Sequence, residues 1–365
     1  MGKQVHCEKI ADLGLYRSRS IPEKEVLSPD APLSTLRVVA LGGGTGLPIL
    51  LSGLKSALFP SAPAWELSRD LSRLTAIVTV ADDGGSSGRL RQAYPMLSPG
   101  DIRNCLLALS DGDPTLAAVF NFRFNGQGDV AGHNLGNLIL TALSELEGNF
   151  FKAVEWGSRI LEIRGKVLPC TLDTVDLRAE FSDGSYVEGE SQIATIRRPI
   201  RRVRIHPEYA QALPEARAAI LAADLIVIGP GSLYTSLIPN LLIKGIANAI
   251  ADSNARVVLV MNLMTQPGET DDYTVADHLQ ALRLHAPQVK IHDVLLNNRP
   301  IPDRLRQHYA AEGSRPVFPE VESLKAQGCR PVVRDLLGVG PKLHHDSHKL
   351  AQAILTLTTD EQTGE

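Results

Sequence analysis

The sequence is poor in cysteine, in net charge of either sign and in long apolar runs, and each shortage excludes a class of protein. Its four cysteines lie too far apart for a CxxC pair, which argues against a zinc ribbon or a disulfide framework. Lysine and arginine number 37 against 41 aspartates and glutamates, so the basic excess of a general nucleic-acid binder is missing. No apolar run reaches the roughly 18 residues that cross a membrane. We therefore expect a soluble cytoplasmic protein with no membrane span and no nucleic-acid partner.

The chain divides by composition into an extension, a large central part and a short tail. Residues 1–35 carry scattered prolines among charged and small residues, and we expect a poorly ordered N-terminal extension. Residues 36–357 are predicted to form a single α/β domain. The polar residues 358–365 are expected to be a frayed tail.

Short runs of apolar, β-branched residues without alternation indicate strands that are covered on both faces, as in a parallel sheet. Helical spacing of leucines follows the first run, and this alternation of strands with helices predicts a doubly wound α/β fold with a mainly parallel sheet. A β-rich insertion is predicted at about 165–205, with a hairpin turn at Asp183-Gly184. The five predicted strands are Arg37–Leu41, Leu74–Val80, Asp224–Ile228, Arg256–Val260 and Asp293–Leu296.

Each predicted strand is followed by a segment rich in glycine, asparagine or acidic residues. In open parallel sheets, ligands bind outside the carboxyl ends of the strands, so these segments predict one ligand crevice. The first, GGGTG, favours a phosphate bound by backbone N–H groups at a helix N-terminus, although a tight turn without a ligand is the alternative. Its candidate ligand residues are Gly42, Gly43, Gly44, Thr45 and Gly46.

A second glycine segment, GPGSLYTS, has the same strand-loop-helix pattern and hydroxyl groups that suit a phosphate. Simple N-capping by its first serine is the alternative. The candidate residues are Gly229, Gly231, Ser232, Tyr234 and Thr235.

The segment ADDGGSSGRLR places two adjacent carboxylates, Asp82 and Asp83, on a loop. They are candidates for holding Mg²⁺, for catalysis or for accepting hydrogen bonds from a sugar, and ordinary turn chemistry is the alternative. The guanidinium group of Arg89 suits phosphate oxygens.

Polar residues at further helix starts are candidate ligand groups, and helix capping or a structural role is the alternative. They are Asp101, Arg103 and Asn104 in one segment, His133, Asn134 and Asn137 in another, and Asp271 and Tyr273 in a third. The histidines of KLHHDSHK, residues 342–349, resemble a metal tract, but a solvated helix start is the favoured interpretation.

Six stretches are long and unusual: VALGGGTGLPILLSGLK, VTVADDGGSSGRLR, PGDIRNCLLAL, GHNLGNLIL, ADLIVIGPGSLYTSLIPNLLI and NLMTQPGETDDYTVADHL. Together they resemble the bacterial gluconeogenesis factors, relatives of 2-phospho-L-lactate transferase, over about residues 36–355. The resemblance implies a Rossmann-like fold, binding of UDP-sugars, notably UDP-N-acetylglucosamine, and a role in cell shape and envelope synthesis on gluconeogenic carbon. It also implies that Tyr273 contacts the nucleotide sugar, together with a downstream arginine that is Arg299, Arg304 or Arg306.

Two functions follow as hypotheses. The first is a regulator that binds a UDP-sugar or another phosphate-bearing nucleotide without turnover, since no nucleophile–base pair stands out in the sequence. The second is a Mg²⁺-dependent transferase, in which Asp82 and Asp83 hold the metal ion and arginines neutralise phosphate charge. A homo-oligomer is compatible with the sequence.

Overall fold

A computed structural model describes residues 35–60 and 70–358. The predicted extension at 1–35 and the predicted tail at 358–365 lie outside these residues, apart from Thr35 and Thr358. Across the described part of the chain, no helix is long and apolar enough to cross a membrane.

Seven strands form a parallel sheet, and three more form a small antiparallel sheet. In chain order the strands are β1 (Val38–Gly42), β2 (Leu74–Val78), β3 (Lys166–Pro169), β4 (Asp176–Phe181), β5 (Tyr186–Glu188), β6 (Ile200–His206), β7 (Leu225–Ile228), β8 (Arg256–Val260), β9 (Asp293–Asn297) and β10 (Arg330–Arg334). The large sheet has the order β10-β9-β8-β7-β1-β2-β3, and the small one has the order β5-β4-β6.

Helices connect the parallel strands, because two parallel neighbours can be joined only by a long crossover. They are α1 (Gly46–Leu58), α2 (Gly85–Ala93), α3 (Gly100–Leu109), α4 (Pro114–Asn121), α5 (Leu135–Glu147), α6 (Phe150–Ile160), α7 (Glu190–Ile196), α8 (Pro214–Leu221), α9 (Ile238–Leu242), α10 (Ile246–Asp252), α11 (Val275–His285), α12 (Asp303–Ala311), α13 (Val321–Ala326) and α14 (Ser347–Thr356). A 3₁₀ turn at Leu71–Arg73 and a π-helical turn at Leu233–Leu237 complete the described elements.

The five predicted strands are confirmed, with ends that differ by at most two residues. The predicted parallel, doubly wound α/β class is also confirmed. Two edge strands of the large sheet, β3 and β10, were not predicted as such. Strand β10 has a single buried residue and so a weak apolar signal, whereas β3 is buried at three of its four residues but was predicted as part of the β-rich insertion.

The start of the predicted insertion needs a correction. Residues Lys166–Pro169 pair with β2 in the large sheet, so the antiparallel part begins only with β4. Along β4 buried residues alternate with more exposed ones, because only one face of the small sheet is covered. The predicted Asp183-Gly184 turn joins β4 to β5, and Gly184 has a φ of +82° that glycine adopts without strain.

Helix α1 is held by an apolar face and by one very close helix contact. Its leucines Leu47, Leu50, Leu51, Leu54 and Leu58 are at most 1% exposed. Each such burial contributes about 1.5–3 kcal/mol relative to an exposed side chain. A Cβ on Gly53 would lie 1.9 Å from the Ser347 carbonyl oxygen, so glycine lets α14 pack directly on α1.

Candidate functional site

The two glycine loops meet at the point where the sheet changes direction. Strands β1 and β7 are neighbours, and the chain continues from them toward opposite edges of the sheet. A Cβ on Gly46 would lie 2.4 Å from the Pro230 carbonyl oxygen, so the loop after β1 touches the loop after β7. This is the topological switch point at which doubly wound sheets bind ligands. We call the space bounded by loops 42–46, 82–85, 229–236 and 266–273 the crevice.

On the crevice side, the first glycine loop already has an anionic partner from the protein itself. The Gly44 N–H donates to Oδ2 of Asp101 at 2.7 Å. A Cβ on Gly43 would lie 2.6 Å from the same carboxylate oxygen, which explains the glycine there. Burial raises the pKa of Asp101 to about 6, although the Gly44 hydrogen bond opposes this shift. Asp101 thus occupies the crevice-side anion position of the loop, whereas Thr45 is exposed.

The second glycine loop is held in place by two amide side chains from the loop after β8. The Gly231 N–H donates to Oδ1 of Asn262 at 3.2 Å, and Nδ2 of Asn262 donates to the Gly231 carbonyl at 2.8 Å. Nε2 of Gln266 donates to Oγ of Ser232 at 2.5 Å. The Ser232 side chain therefore accepts from Gln266 and does not cap the following turn, contrary to the simple N-cap alternative.

The adjacent acids of loop 82–85 have different hydrogen-bond partners. Asp82 accepts from the Gly84 N–H at 2.9 Å and from Oγ of Ser98 at 3.2 Å. Asp83 accepts from the Ser191 N–H at 2.8 Å and so fastens α7 to the crevice. Within residues 35–60 and 70–358, no group of three or more His, Cys, Asp or Glu side chains is arranged to hold a metal ion. Asp82 and Asp83 thus have separate protein partners, and their shared role in holding Mg²⁺ stays a prediction.

Two further carboxyl groups, which were not among the predicted site residues, face this loop. Glu190 comes from α7 and Glu269 from the loop after β8. Burial and the nearby charge of Asp82 raise the pKa of Glu190 to about 9, and burial raises the pKa of Glu269 to about 7. In the described part of the chain, Oε2 of each lacks a hydrogen-bond partner. At neutral pH Glu190 is protonated and can donate a hydrogen bond, as a carboxylate cannot.

A polar network joins the starts of α2, α3 and α5 and contains four predicted site residues. Arg103 donates to Oδ1 of Asn137 at 2.8 Å and to Oδ1 of Asn104 at 2.5 Å. Oγ of Ser86 lies 3.1 Å from Nδ2 of Asn137 and 3.1 Å from Nδ1 of His133. Burial lowers the pKa of Arg103 to about 10 and also lowers the pKa of His133. The network fixes three helix starts against one another beside the crevice.

Two other predicted residues have structural partners beside this network. Asn134 is the N-cap of α5 and accepts from the Gly136 N–H at 3.0 Å. Arg89 donates to the Ala131 carbonyl at 2.8 Å and so holds the loop that precedes His133.

Tyr273 is supported by a buried tyrosine from the second glycine loop. The hydroxyl groups of Tyr273 and Tyr234 lie 2.7 Å apart, and the rings meet edge to face. Tyr234 is only 2% exposed, and burial raises its pKa. The neighbouring Thr235 donates to Oε1 of Glu269 at 3.3 Å. Tyr234 and Thr235 thus position groups that border the crevice, whereas Tyr273 stays partly exposed.

The structure brings an unpredicted arginine to the loop that carries Tyr273. Arg315 forms an ion pair with Asp272 at 2.5 Å, and Asp271 accepts from the Gly268 N–H at 2.7 Å. The predicted Arg304 is exposed on α12. No sequence signal singled out Arg315, because it follows Asp272 by more than 40 residues and its position depends on the path of the intervening chain.

A family model described as 2-phospho-L-lactate transferase CofD matches residues 38–337. The chain belongs to the CofD family. Within it, the Gluconeogenesis factor of Bacillus subtilis (strain 168) is 46% identical over 88% of this chain and 98% of its own length. The Gluconeogenesis factor of Halalkalibacterium halodurans is 44% identical over 87% of this chain and 95% of its own length. The predicted resemblance to gluconeogenesis factors is therefore confirmed.

A solved structure agrees with the CofD-family fold described above. The crystal structure of a UPF0052 family member from Bacillus halodurans superposes with a TM-score of 0.82 at 44% identity. The match covers 88% of this chain and all of that one.

Proposed function

We propose that this CofD-family chain is a cytoplasmic regulator that binds a UDP-sugar, with UDP-N-acetylglucosamine as the expected ligand. Its role would be in cell shape and envelope synthesis during growth on gluconeogenic carbon. The observation that carries this proposal is the meeting of two glycine loops at the switch point, in a chain closely similar to gluconeogenesis factors.

The chemistry of the crevice suits the sugar part of such a ligand. Glu190 and Glu269 each have a buried carboxyl oxygen without a hydrogen-bond partner among the described residues, and a sugar hydroxyl group that reached it would supply the missing hydrogen bond. The phosphates belong at the N-terminus of α1, where the first N–H groups have no acceptor inside the helix. Tyr273 borders the same space from the loop after β8.

The hydrogen bonds and the burial of one serine–histidine contact favour binding without turnover. Oγ of Ser86 lies 3.1 Å from Nδ1 of His133, as in a nucleophile–base pair. However, the same oxygen accepts from Nδ2 of Asn137 and from the Asn134 N–H. These hydrogen bonds engage the lone pairs of the Ser86 oxygen. Because Ser86 is only 5% exposed, a substrate has no access to that oxygen. We therefore assign this contact to the scaffold.

Isothermal titration with UDP-N-acetylglucosamine tests the proposal, with GTP and NADP⁺ as parallel ligands. We expect a dissociation constant in the micromolar range for the UDP-sugar and an affinity at least about tenfold weaker for Tyr273→Ala, a loss of about 1.4 kcal/mol. Tyr186→Ala is the matched control, because Tyr186 is 76% exposed on β5. Equal affinity in both variants, or tighter binding of GTP than of the UDP-sugar, would refute the proposal.

A Mg²⁺-dependent phosphoryl or phospho-lactyl transferase is the second candidate. It is favoured by the name of the matching family model and by Asp101 and Glu269, whose pKa values of about 6 and 7 suit proton transfer near neutral pH. Incubation of the wild type with nucleotide-linked substrates, with and without Mg²⁺, decides between the candidates. Product that forms only with Mg²⁺ and is lost in Asp82→Asn would establish the transferase.

A further inference from the structure

A buried tyrosine of the second glycine loop lies against Tyr273. Tyr234 belongs to the π-helical turn Leu233–Leu237, in which the Leu237 N–H donates to the Ser232 carbonyl oxygen at 2.9 Å. Turns of this kind are rare and are frequently found at functional sites. Tyr234 is 2% exposed, whereas Tyr273 is partly exposed and borders the crevice. Because Tyr234 is shielded from solvent, its effect on a ligand in the crevice must be indirect.

The hydroxyl group of Tyr234 donates its single proton to Tyr273. Within the described residues, the structure gives this group two possible oxygen acceptors, the Tyr273 hydroxyl at 2.7 Å and the Ile200 carbonyl at 3.5 Å. Hydrogen bonds between two oxygens have lengths of about 2.5–3.0 Å, so only the Tyr273 oxygen is close enough. If Tyr273 donated instead, the buried proton of Tyr234 would face only the distant Ile200 oxygen, and a buried donor without a close acceptor is unfavourable. Tyr273 is therefore the acceptor in this contact.

The direction of this hydrogen bond determines what Tyr273 can offer a ligand. A phenol hydroxyl group both donates and accepts. Because the Tyr273 oxygen accepts from Tyr234, its own O–H can point elsewhere, and hydrogen bonds in a chain polarise and strengthen one another. Burial raises the pKa of Tyr273, and the hydrogen bond from Tyr234 opposes this shift. Tyr273 is therefore neutral at physiological pH and is a donor toward an oxygen atom of a ligand.

Histidines of α11 fix the rings of both tyrosines. The Tyr273 ring meets the His278 ring edge to face, with centroids 5.5 Å apart. The Tyr234 ring meets the His285 ring in the same way at 5.9 Å. Nε2 of His285 in turn accepts from the Val203 N–H of β6 at 2.9 Å. Edge-to-face packing is a favoured geometry of aromatic pairs, so the rings are held in place and rotation of the Tyr273 O–H is the adjustable part of the contact.

We propose that Tyr234 is a positioning residue, which turns the O–H of Tyr273 toward an acceptor oxygen of the bound UDP-sugar. This inference rests on the proposed function and adds to it the chemistry of one contact, in which Tyr273 donates a hydrogen bond through its hydroxyl group. The acceptor is a phosphate or carbonyl oxygen, and it belongs either to the uridine diphosphate part of the ligand or to the N-acetyl group.

Isothermal titration of four proteins tests the proposal: the wild-type chain, Tyr234→Phe, Tyr273→Phe and the double variant. Phenylalanine keeps each ring and removes only the hydroxyl group. We expect UDP-N-acetylglucosamine to bind about fivefold more weakly to Tyr273→Phe and at least about threefold more weakly to Tyr234→Phe, as the loss or misalignment of one hydrogen bond predicts. In the double variant the two effects should not multiply, because Tyr234 acts only through Tyr273. Tyr186→Phe, at a 76% exposed position on β5, is the matched control and should bind like the wild type.

UDP and UDP-glucose as further titrants locate the acceptor oxygen. A weaker affinity of Tyr273→Phe for all three ligands places the acceptor on the uridine diphosphate part, whereas a loss confined to UDP-N-acetylglucosamine places it on the N-acetyl group. Both results support the proposal. Equal affinities of the wild type and Tyr273→Phe for all three ligands would overturn it.

Nuclear magnetic resonance separates a hydrogen bond from a purely structural role. The chain has seven tyrosines, which are labelled with ¹³C at Cζ, and the phenylalanine variants assign the resonances of Tyr234 and Tyr273. In the ligand-free protein, Tyr234→Phe should shift the Tyr273 resonance, because the Cζ atom carries the hydroxyl group. On addition of UDP-N-acetylglucosamine, the Tyr234 resonance should shift in the wild type and stay unchanged in Tyr273→Phe.

The outcomes distinguish this inference from the proposed function. Multiplying effects in the double variant, wild-type affinity of Tyr234→Phe, or a Tyr273 resonance that does not respond to Tyr234→Phe would overturn the positioning role and leave UDP-sugar binding standing. Failure of the wild-type chain to bind any of the three titrants would overturn both, even if the ligand-free resonances established the hydrogen bond between the two tyrosines.

Discussion

Gly46→Ala places a methyl group at the contact between the two glycine loops. The added Cβ would lie 2.4 Å from the Pro230 oxygen, 2.8 Å from its carbonyl carbon and 3.2 Å from the Gly231 nitrogen. These are backbone atoms, which cannot rotate away as a side chain can. Because non-bonded heavy atoms prefer about 3.5 Å or more, the loops must separate by about 1 Å.

The expected loss of stability is the difference between two effects. Overpacking of this kind costs about 1–3 kcal/mol. Alanine in place of glycine stabilises a helix interior by up to about 1 kcal/mol, and the first helical position by less. We therefore expect Gly46→Ala to lower the free energy of unfolding by about 1–2 kcal/mol. The displaced loop should also weaken UDP-sugar binding by about tenfold or more, since phosphate binding depends on the position of the N–H groups at the start of α1.

Thermal unfolding and isothermal titration measure the two effects. A loss of about 1–2 kcal/mol corresponds to a decrease in melting temperature of about 1.5–3 °C for a folded domain of more than about 300 residues. Gly126→Ala is the matched control, because a Cβ there would meet nothing within 4 Å. If Gly46→Ala melts and binds like the Gly126→Ala control, the two loops do not touch and the crevice described here is wrong.

Three further predictions concern charged groups. Asp293→Asn should lower the free energy of unfolding by about 3–5 kcal/mol, because Asp293 is fully buried between two arginines. Asp335→Asn is the control in thermal melts, and it should cost less than about 1 kcal/mol because the ion pairs of Asp335 are exposed. The folded-state pKa of Glu190, about 9, lies above its ordinary value, so the native state keeps a proton that the unfolded chain releases. Above the pKa of Glu269, which is about 7, stability should therefore fall as pH rises from about 7.5 to 8.5, by up to about 1.4 kcal/mol per pH unit, and Glu190→Gln should reduce this slope in melts at several pH values. Asp83→Ala should increase the rate of amide hydrogen exchange in α7, because it removes the acceptor for the Ser191 N–H and so lowers the stability of this helix by about 1 kcal/mol. Exchange in α14 is the internal control and should not change.

The parallel core could be predicted from the sequence because its signal is local. Strands such as β7 and β8 are short apolar runs that stay buried along almost their whole length, a pattern typical of strands covered on both faces. Edge strand β10 was missed because its sequence, RPVVR, is mostly half-buried or exposed, so it lacks the continuous apolar run. Strand β3 is buried at three of its four residues, but it directly precedes the alternating strands of the small sheet and was therefore predicted as part of the insertion; its proline is tolerated at a sheet edge.

The site was predicted only in part, because its groups meet through the fold and not through sequence spacing. The loops that follow β1 and β7 were predicted to border one crevice, and they do meet, since parallel strands bring their carboxyl ends to one edge. Glu190 and Arg315 reach the crevice region from the insertion and from a distant loop, and neither belongs to a motif. The histidine segment was assigned to a solvated helix start, which is correct for the start of α14 but not for His345, which is 5% exposed.

The glycine-rich loop shows why a motif cannot settle where a ligand binds. The pattern GGGTG predicts a backbone that can approach an anion, and Gly44 does adopt a left-handed φ of +61°. It does not predict which anion occupies that backbone, and in the structure it is the carboxylate of Asp101, 57 residues further along the chain. A phosphate at the Gly44 N–H would have to displace Asp101 among other acidic groups, whereas at the start of α1 it meets helix N–H groups that have no acceptor inside the helix. A phosphate is therefore expected at the start of α1 and not at the Gly44 N–H.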